Sequence, residues 1–126
     1  MPIIKQYRPA AVWLFAPDEK IKPHKNIITA LKTIHPPPVI FTQIGNVSSA
    51  REAVEDGTDV LVCQGIDAGG HQFRHGSGVV VLVPEVRSMI AREFPEKSIG
   101  VFAAGGIADG KGVAAMMALG KSVILH

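Results

Sequence analysis

The sequence is sparing with several features that mark specialised protein classes. It contains one cysteine, Cys63, in 126 residues. An internal disulfide framework is therefore excluded, and a reducing, cytoplasmic compartment is expected. Neither sign of charge dominates, because 13 basic side chains face 11 acidic ones for a net charge of +2. Such a balance gives no electrostatic footprint for nucleic acid or for an anionic membrane surface. No apolar run approaches the roughly 20 residues of a membrane-spanning helix, and Met-Pro-Ile-Ile-Lys does not read as a signal peptide. Glycine is scarce early and proline scarce late. Twelve of the 13 glycines lie beyond position 56, and seven of the nine prolines lie before position 39. The second half is thus the part built for tight turns and close backbone approach, as in a ligand-binding loop system.

What is present is a repeat of short apolar runs, each followed by helical periodicity. The runs are Ala11–Phe15, Val39–Ile44, Val60–Cys63, Ile99–Ala104 and Val123–Leu125. They do not alternate with polar residues, so they read as parallel strands buried on both faces. Between them, Lys25–Ile34 carries Ile27, Ile28, Leu31 and Ile34 at helical spacing and stops before three prolines. Val47–Asp56 has Ser49 and Glu52 in capping-box spacing and Gly57 as its stop. Pro84–Phe94 opens on Pro and turns Val86, Met89, Ile90 and Phe94 inward. Gly110–Leu119 follows Asp109 as N-cap. The order β-α-β-α-β-α-β-α-β predicts an α/β domain over 1–126 with a parallel sheet. At 126 residues the chain is too short for a full eight-stranded α/β barrel, which needs roughly 200 residues or more.

Two loops stand where parallel α/β proteins bind ligands, at the carboxyl ends of strands. The first, Gln64-Gly65-Ile66-Asp67-Ala68-Gly69-Gly70-His71, follows the third run. Gly69 and Gly70 allow the backbone to pass close to a flat ligand, and the Gln64 amide both donates and accepts. His71 is a candidate general base near neutral pH. The plainer alternative is a glycine-rich turn whose His caps a carbonyl. The second loop, Ala103-Ala104-Gly105-Gly106-Ile107, also precedes a helix, and N–H groups near a helix N-terminus suit a phosphate. Together the two loops point to a phosphate-bearing cofactor.

These motifs resemble the nitronate monooxygenases, formerly called 2-nitropropane dioxygenases. The resemblance rests on Gly57-Thr58-Asp59, the Gln64–His71 loop, Leu82-Val83-Pro84-Glu85-Val86, Ala103–Gly110 and Ala114–Gly120, in order and spacing. Val12-Trp13-Leu14-Phe15 and Gln43-Ile44-Gly45 fit the family's middle strands. The resemblance implies part of a TIM-type (β/α)8 barrel and an FMN-dependent oxidoreductase. Such an enzyme oxidises alkyl nitronates or nitroalkanes with dioxygen to carbonyl compounds and nitrite. It makes Gln64 and Gly69 FMN contacts, Gly105 and Gly106 the holders of the ribityl phosphate, and His71 the base that removes the proton α to the nitro group.

Two departures stand out. Gln72-Phe73-Arg74-His75 follows the His where the family has a small residue, which bears on the shape of the substrate pocket. Leu125 and His126 lie where a second phosphate loop would begin, without its Gly-Thr. Two other readings stay open: an FMN-dependent NAD(P)H:quinone or enoyl reductase of a related barrel, and a truncated, non-catalytic barrel fragment. A sheet cut from a closed barrel has two unpaired edges, which invite self-association. No metal site is expected, since the glycines around His71 and His75 argue against a helix pairing them. Cys63 reads as a buried small residue, Trp13 and Phe15 as core, Met116 and Met117 as packing, and Asp67 as capping a turn. Lys20, Lys22 and Lys25 read as a solvated edge.

Overall fold

The computed structural model describes residues 1–120 and 123–125. Lys121, Ser122 and His126 lie outside the described residues, and with His126 half of the expected second phosphate loop. The elements run α1 (Pro2–Tyr7), β1 (Ala11–Leu14), α2 (His24–Lys32), β2 (Val39–Ile44), α3 (Val47–Asp56), β3 (Val60–Gln64), α4 (Val79–Glu93), β4 (Gly100–Ala104), α5 (Gly110–Gly120) and β5 (Val123–Leu125). The five strands form one sheet in the order β1-β2-β3-β4-β5, with every neighbouring pair parallel. Right-handed crossovers taken always in the same direction place every connecting helix on one face of a sheet. That is the winding of a barrel, not of a doubly wound sheet.

The pleat then sorts the side chains. Ile40, Thr42, Ile44, Leu61, Cys63, Val101 and Ala103 point to the helix-covered face and are buried. Of these, Ile44, Leu61, Cys63, Val101 and Ala103 pack with Ala50 and Val54 of α3, and with Leu82, Val83, Val86 and Met89 of α4, in the main core. Ile28, Leu31, Ile34 and Ile40 form a smaller cluster beneath β1. The alternate residues face the other way, where no helix lies. Trp13 and Phe15 are there, 49% and 41% exposed, so the expectation that they are core is overturned. Residues 11, 13 and 15 share a face by the period of two, and that face is the uncovered one. Phe41 and Phe102 meet edge-on across β3 at 5.5 Å between ring centroids, which accounts for the full burial of Val62 on this side.

Element boundaries differ from expectation in instructive places. Helix α1 carries no buried residue and leaves no apolar stripe to read. Helix α3 is capped by the Asn46 side chain, which accepts from Ser49 N at 2.8 Å, in place of a Ser49–Glu52 box. Helix α4 begins at Val79, five residues before Pro84. Its start is set by Asp67, whose Oδ2 accepts from Val79 N at 3.0 Å. Val79, Leu82, Val83, Val86 and Met89 then continue one buried stripe. Pro84 deprives the Val80 carbonyl of its helical partner. Val80 is 58% exposed, so water can take that place. Of the two methionines in α5, Met116 is buried and Met117 is 56% exposed. Among the described residues no helix is long and apolar enough to cross a membrane.

Candidate functional site

The first glycine loop leaves the sheet at Gln64 and is pinned at several points. Gly65 N donates to Ala104 O at 3.0 Å, joining it to the end of β4. Ser77 N donates to Gly45 O at 3.1 Å and Asn46 Nδ2 to His75 O at 2.7 Å, joining it to the end of β2. Gln72 Nε2 donates to the carbonyls of Ile66 and Ala68, holding the loop on itself. The Phe73 ring lies against Gly45, where a Cβ would come within 2.7 Å of it. Phe73 also meets Phe15 edge-on at 5.3 Å. Asp67 is expected from the sequence to cap the turn it precedes; its side chain instead caps the start of α4, through Val79 N.

The second glycine loop packs directly against the first. Gly105 and Gly106 adopt φ values of +96° and +73°. A Cβ on Gly105 would stand 2.6 Å from Ala68 Cβ, and one on Gly106 2.7 Å from Asp67 Cβ. These glycines are thus demanded first by the contact between the loops, and any room for a phosphate comes second. Their N–H groups take no loop or turn hydrogen bond among the described residues. The N-terminus of α5, by contrast, is already occupied. Asp109 Oδ1 accepts from Lys111 N and Gly112 N, each at 3.0 Å, as its N-cap reading required. An anion in this loop would therefore meet Gly105 and Gly106 and not the first turn of the helix.

Gly69 is different. A Cβ there would meet nothing within 4 Å, so the chain's own packing leaves open space above it. His71, two residues on, is exposed, and its imidazole makes no hydrogen bond among the described residues. Its backbone carbonyl accepts from Gln64 Nε2 at 2.9 Å. Gln64 is only 8% exposed, and its amide is the junction of a longer chain. Trp13 Nε1 donates to Gln43 Oε1 at 2.9 Å, and Gln43 Nε2 donates to Gln64 Oε1 at 2.8 Å. Trp13 also stacks on Phe41, 5.6 Å between centroids and 4° from parallel. The open face thus presents a ledge of apolar rings ending in linked amides at the strand tips, beside both glycine loops.

Sequence reasoning singled out Gln64, Gly69, His71, Gly105 and Gly106, and the structure gathers all five on these two adjoining loops. It missed the parts played by Gln43 and Trp13. One signal was available: Gln43 is polar at the carboxyl end of the apolar run Val39–Ile44, on the same face as Phe41. Cys63 is fully buried, and burial pushes its thiol up to about 12, which leaves it neutral and inert. A cavity of about 420 Å³ lies elsewhere, between the β1–α2 loop, α3 and Gln72–Arg74, and none of the five residues lines it.

Comparison with known proteins agrees with this geometry. A family model described as nitronate monooxygenase matches residues 9–124. The chain is 50% identical over 134 aligned positions to a nitronate monooxygenase of Neurospora crassa, covering 99% of this chain and 35% of that protein. Among solved structures it is similar to FabK from Thermotoga maritima, with a TM-score of 0.76 at 28% identity over 98% of this chain and 34% of that one. It is also similar to a nitroalkane oxidase from Streptomyces ansochromogenes, with a TM-score of 0.75 at 26% identity over 98% and 35%. The chain spans about a third of the length of these relatives, so its sheet is part of a TIM-type barrel. By the family match and the Neurospora relative together, the chain belongs to the nitronate monooxygenase family.

Proposed function

We propose that this chain forms the flavin-binding, base-bearing part of an FMN-dependent oxidoreductase. Its substrates would be alkyl nitronates or small nitroalkanes, converted with dioxygen to carbonyl compounds and nitrite. The observation that carries the reading is the Gln64 amide, which stands on the open face at a strand tip with one N–H uncommitted, between two glycine loops in contact. The residues present fit the cofactor. Open space lies over Gly69, the Gln64 amide stands at the tip of β3 from which the same loop departs, and the N–H groups of Gly105 and Gly106 suit a phosphate.

Gln64 and Gly69 would hold the ring system, and Gly105 and Gly106 the ribityl phosphate. FMN, once bound, supplies the electron transfer that no side chain of this protein can carry out. The protein's own part is orientation and proton transfer. On this reading His71, carried by the pinned loop, would stand beside the ligand, and an imidazole nitrogen would take the proton from the carbon bearing the nitro group. A nitronate has already lost that proton and does not need the base. The exposed rings of Trp13 and Phe15, with the half-buried ring of Phe41, supply an apolar wall that favours short alkyl groups.

Nitrite release from a nitronate by flavin-loaded protein tests the activity, and no turnover, or turnover only of NADH with a quinone, would contradict it. His71→Asn tests the base. Turnover of the neutral nitroalkane should fall by about 100-fold, the scale of one general base, with far less loss on the nitronate. Equal losses on both substrates would assign His71 to binding or folding.

A further inference from the structure

An indole N–H can only donate a hydrogen bond, and a backbone carbonyl can only accept one. These two facts fix the direction of the side-chain relay on the open face. Trp13 donates, so Gln43 must meet it with Oε1. Gln43 then turns Nε2 toward Gln64, which must accept through its own Oε1. Gln64 is left to donate through Nε2, and the group it meets is the His71 carbonyl. The polarity imposed from the Trp13 end is the polarity required at the His71 end. A single glutamine amide can turn over at little cost in shape. Here a reversal would set N–H against N–H at Trp13 and oxygen against oxygen at His71.

We propose that Trp13 and Gln43 are positioning residues, which lock the Gln64 amide so that it presents a hydrogen-bond donor to the ligand. Each glutamine has one Nε2 hydrogen beyond those in the relay, so the ledge offers donors to whatever lies on it. It selects a planar ligand edge made of acceptors, such as the carbonyls and unprotonated ring nitrogens of a flavin's pyrimidine. The same relay ties the His71 carbonyl to the sheet and so holds the backbone that carries the candidate base. This inference rests on the flavin reading above and deepens it.

The relay crosses three strands diagonally, from β1 through β2 to the tip of β3. Trp13 therefore acts on the ligand only through Gln64. A double-mutant cycle isolates that dependence. Trp13→Phe keeps an aromatic ring on Phe41 and removes only the donor. FMN affinity should fall about tenfold on Trp13→Phe in the native background, the loss expected when one hydrogen-bond restraint goes. In a Gln64→Leu background the same substitution should change affinity less than about twofold. The reduction potential of the bound flavin should move in the same direction in Trp13→Phe as in Gln64→Leu, which a purely structural role for Trp13 would not produce. Equal affinity losses in both backgrounds would overturn the proposal.

A second readout needs no flavin. Trp13 is the only tryptophan in the sequence, so its indole N–H gives a single NMR resonance. In the flavin-free protein that resonance should shift upfield, and exchange faster with water, on Gln43→Leu. An unchanged resonance would overturn the relay. Failure of the native protein to bind FMN, with the indole resonance behaving as expected, would instead remove the function proposed above and leave the relay standing.

Discussion

The two faces of one sheet have been put to opposite uses. On the helix-covered face Ile44, Leu61, Cys63 and Val101 are at most 2% exposed and sit among the side chains of α3 and α4. On the other face Trp13, Phe15 and Val39 are 41% to 49% exposed, and the half-buried Gln43 amide is linked to that of Gln64, which is buried at the strand tip. Both faces come from the same strands, residue by residue, through the period of two. One face specifies the fold, and the other keeps polar groups and rings at the surface where a ligand can reach them. Stability and ligand binding should therefore respond to different substitutions within single strands.

The largest effect on stability is expected on the covered face. Leu82→Ala, at a fully buried position of α4, should destabilise the protein by about 2–5 kcal/mol in urea unfolding. Trp13→Phe on the open face should cost less than about 1 kcal/mol. Comparable losses would dissolve the distinction between the faces.

A middling effect is expected where the two glycine loops meet. Gly105→Ala combines a left-handed backbone with a Cβ that would stand 2.6 Å from Ala68 Cβ. A cost of about 2 kcal/mol should follow, together with weakened flavin binding. Unchanged stability would show that the loops separate easily.

The smallest effect is a pH dependence set under the covered face. Burial lowers the basicity of His24, and the Asp56 and Glu52 carboxylates only partly oppose it. The folded protein therefore favours neutral His24. Its contribution is complete above the unfolded value of about 6.5 and is lost as pH falls through the lowered folded value. Asp56 acts oppositely and at lower pH. Burial, then Glu52, raises its pKa, so its protonation in acid relieves a cost. Tm measured down through pH 6.5 should decline, and His24→Gln should flatten that decline. An identical profile in the variant would place the titration elsewhere.

Much of the molecule was legible in the sequence. Strands and helices appeared because apolar runs and helical stripes report burial, and burial governs most of this fold. Helix α1 was illegible for the same reason, having no buried residue to mark it. The start of α4 was hidden by Pro84, because proline usually opens a helix. The signal that overrides it is the Asp67 cap, 12 residues away from Val79 in sequence. The five candidate residues were visible because glycine pairs after apolar runs mark strand ends. The relay was not visible, since no periodicity tells which of three strands' polar side chains will touch. Trp13 and Phe15 misled because a large aromatic residue in an apolar run reads as core. Only the winding of the helices shows which face they occupy.

The most direct measurement is a titration of the native chain with FMN, followed by the flavin absorption bands, alongside Gln64→Leu. Expected is saturable binding of a single flavin per chain, weakened by about tenfold or more yet still measurable in the variant, while its Tm stays close to native. No binding by the native chain, or equal binding by the two proteins, would contradict the assignment of the open face to the cofactor.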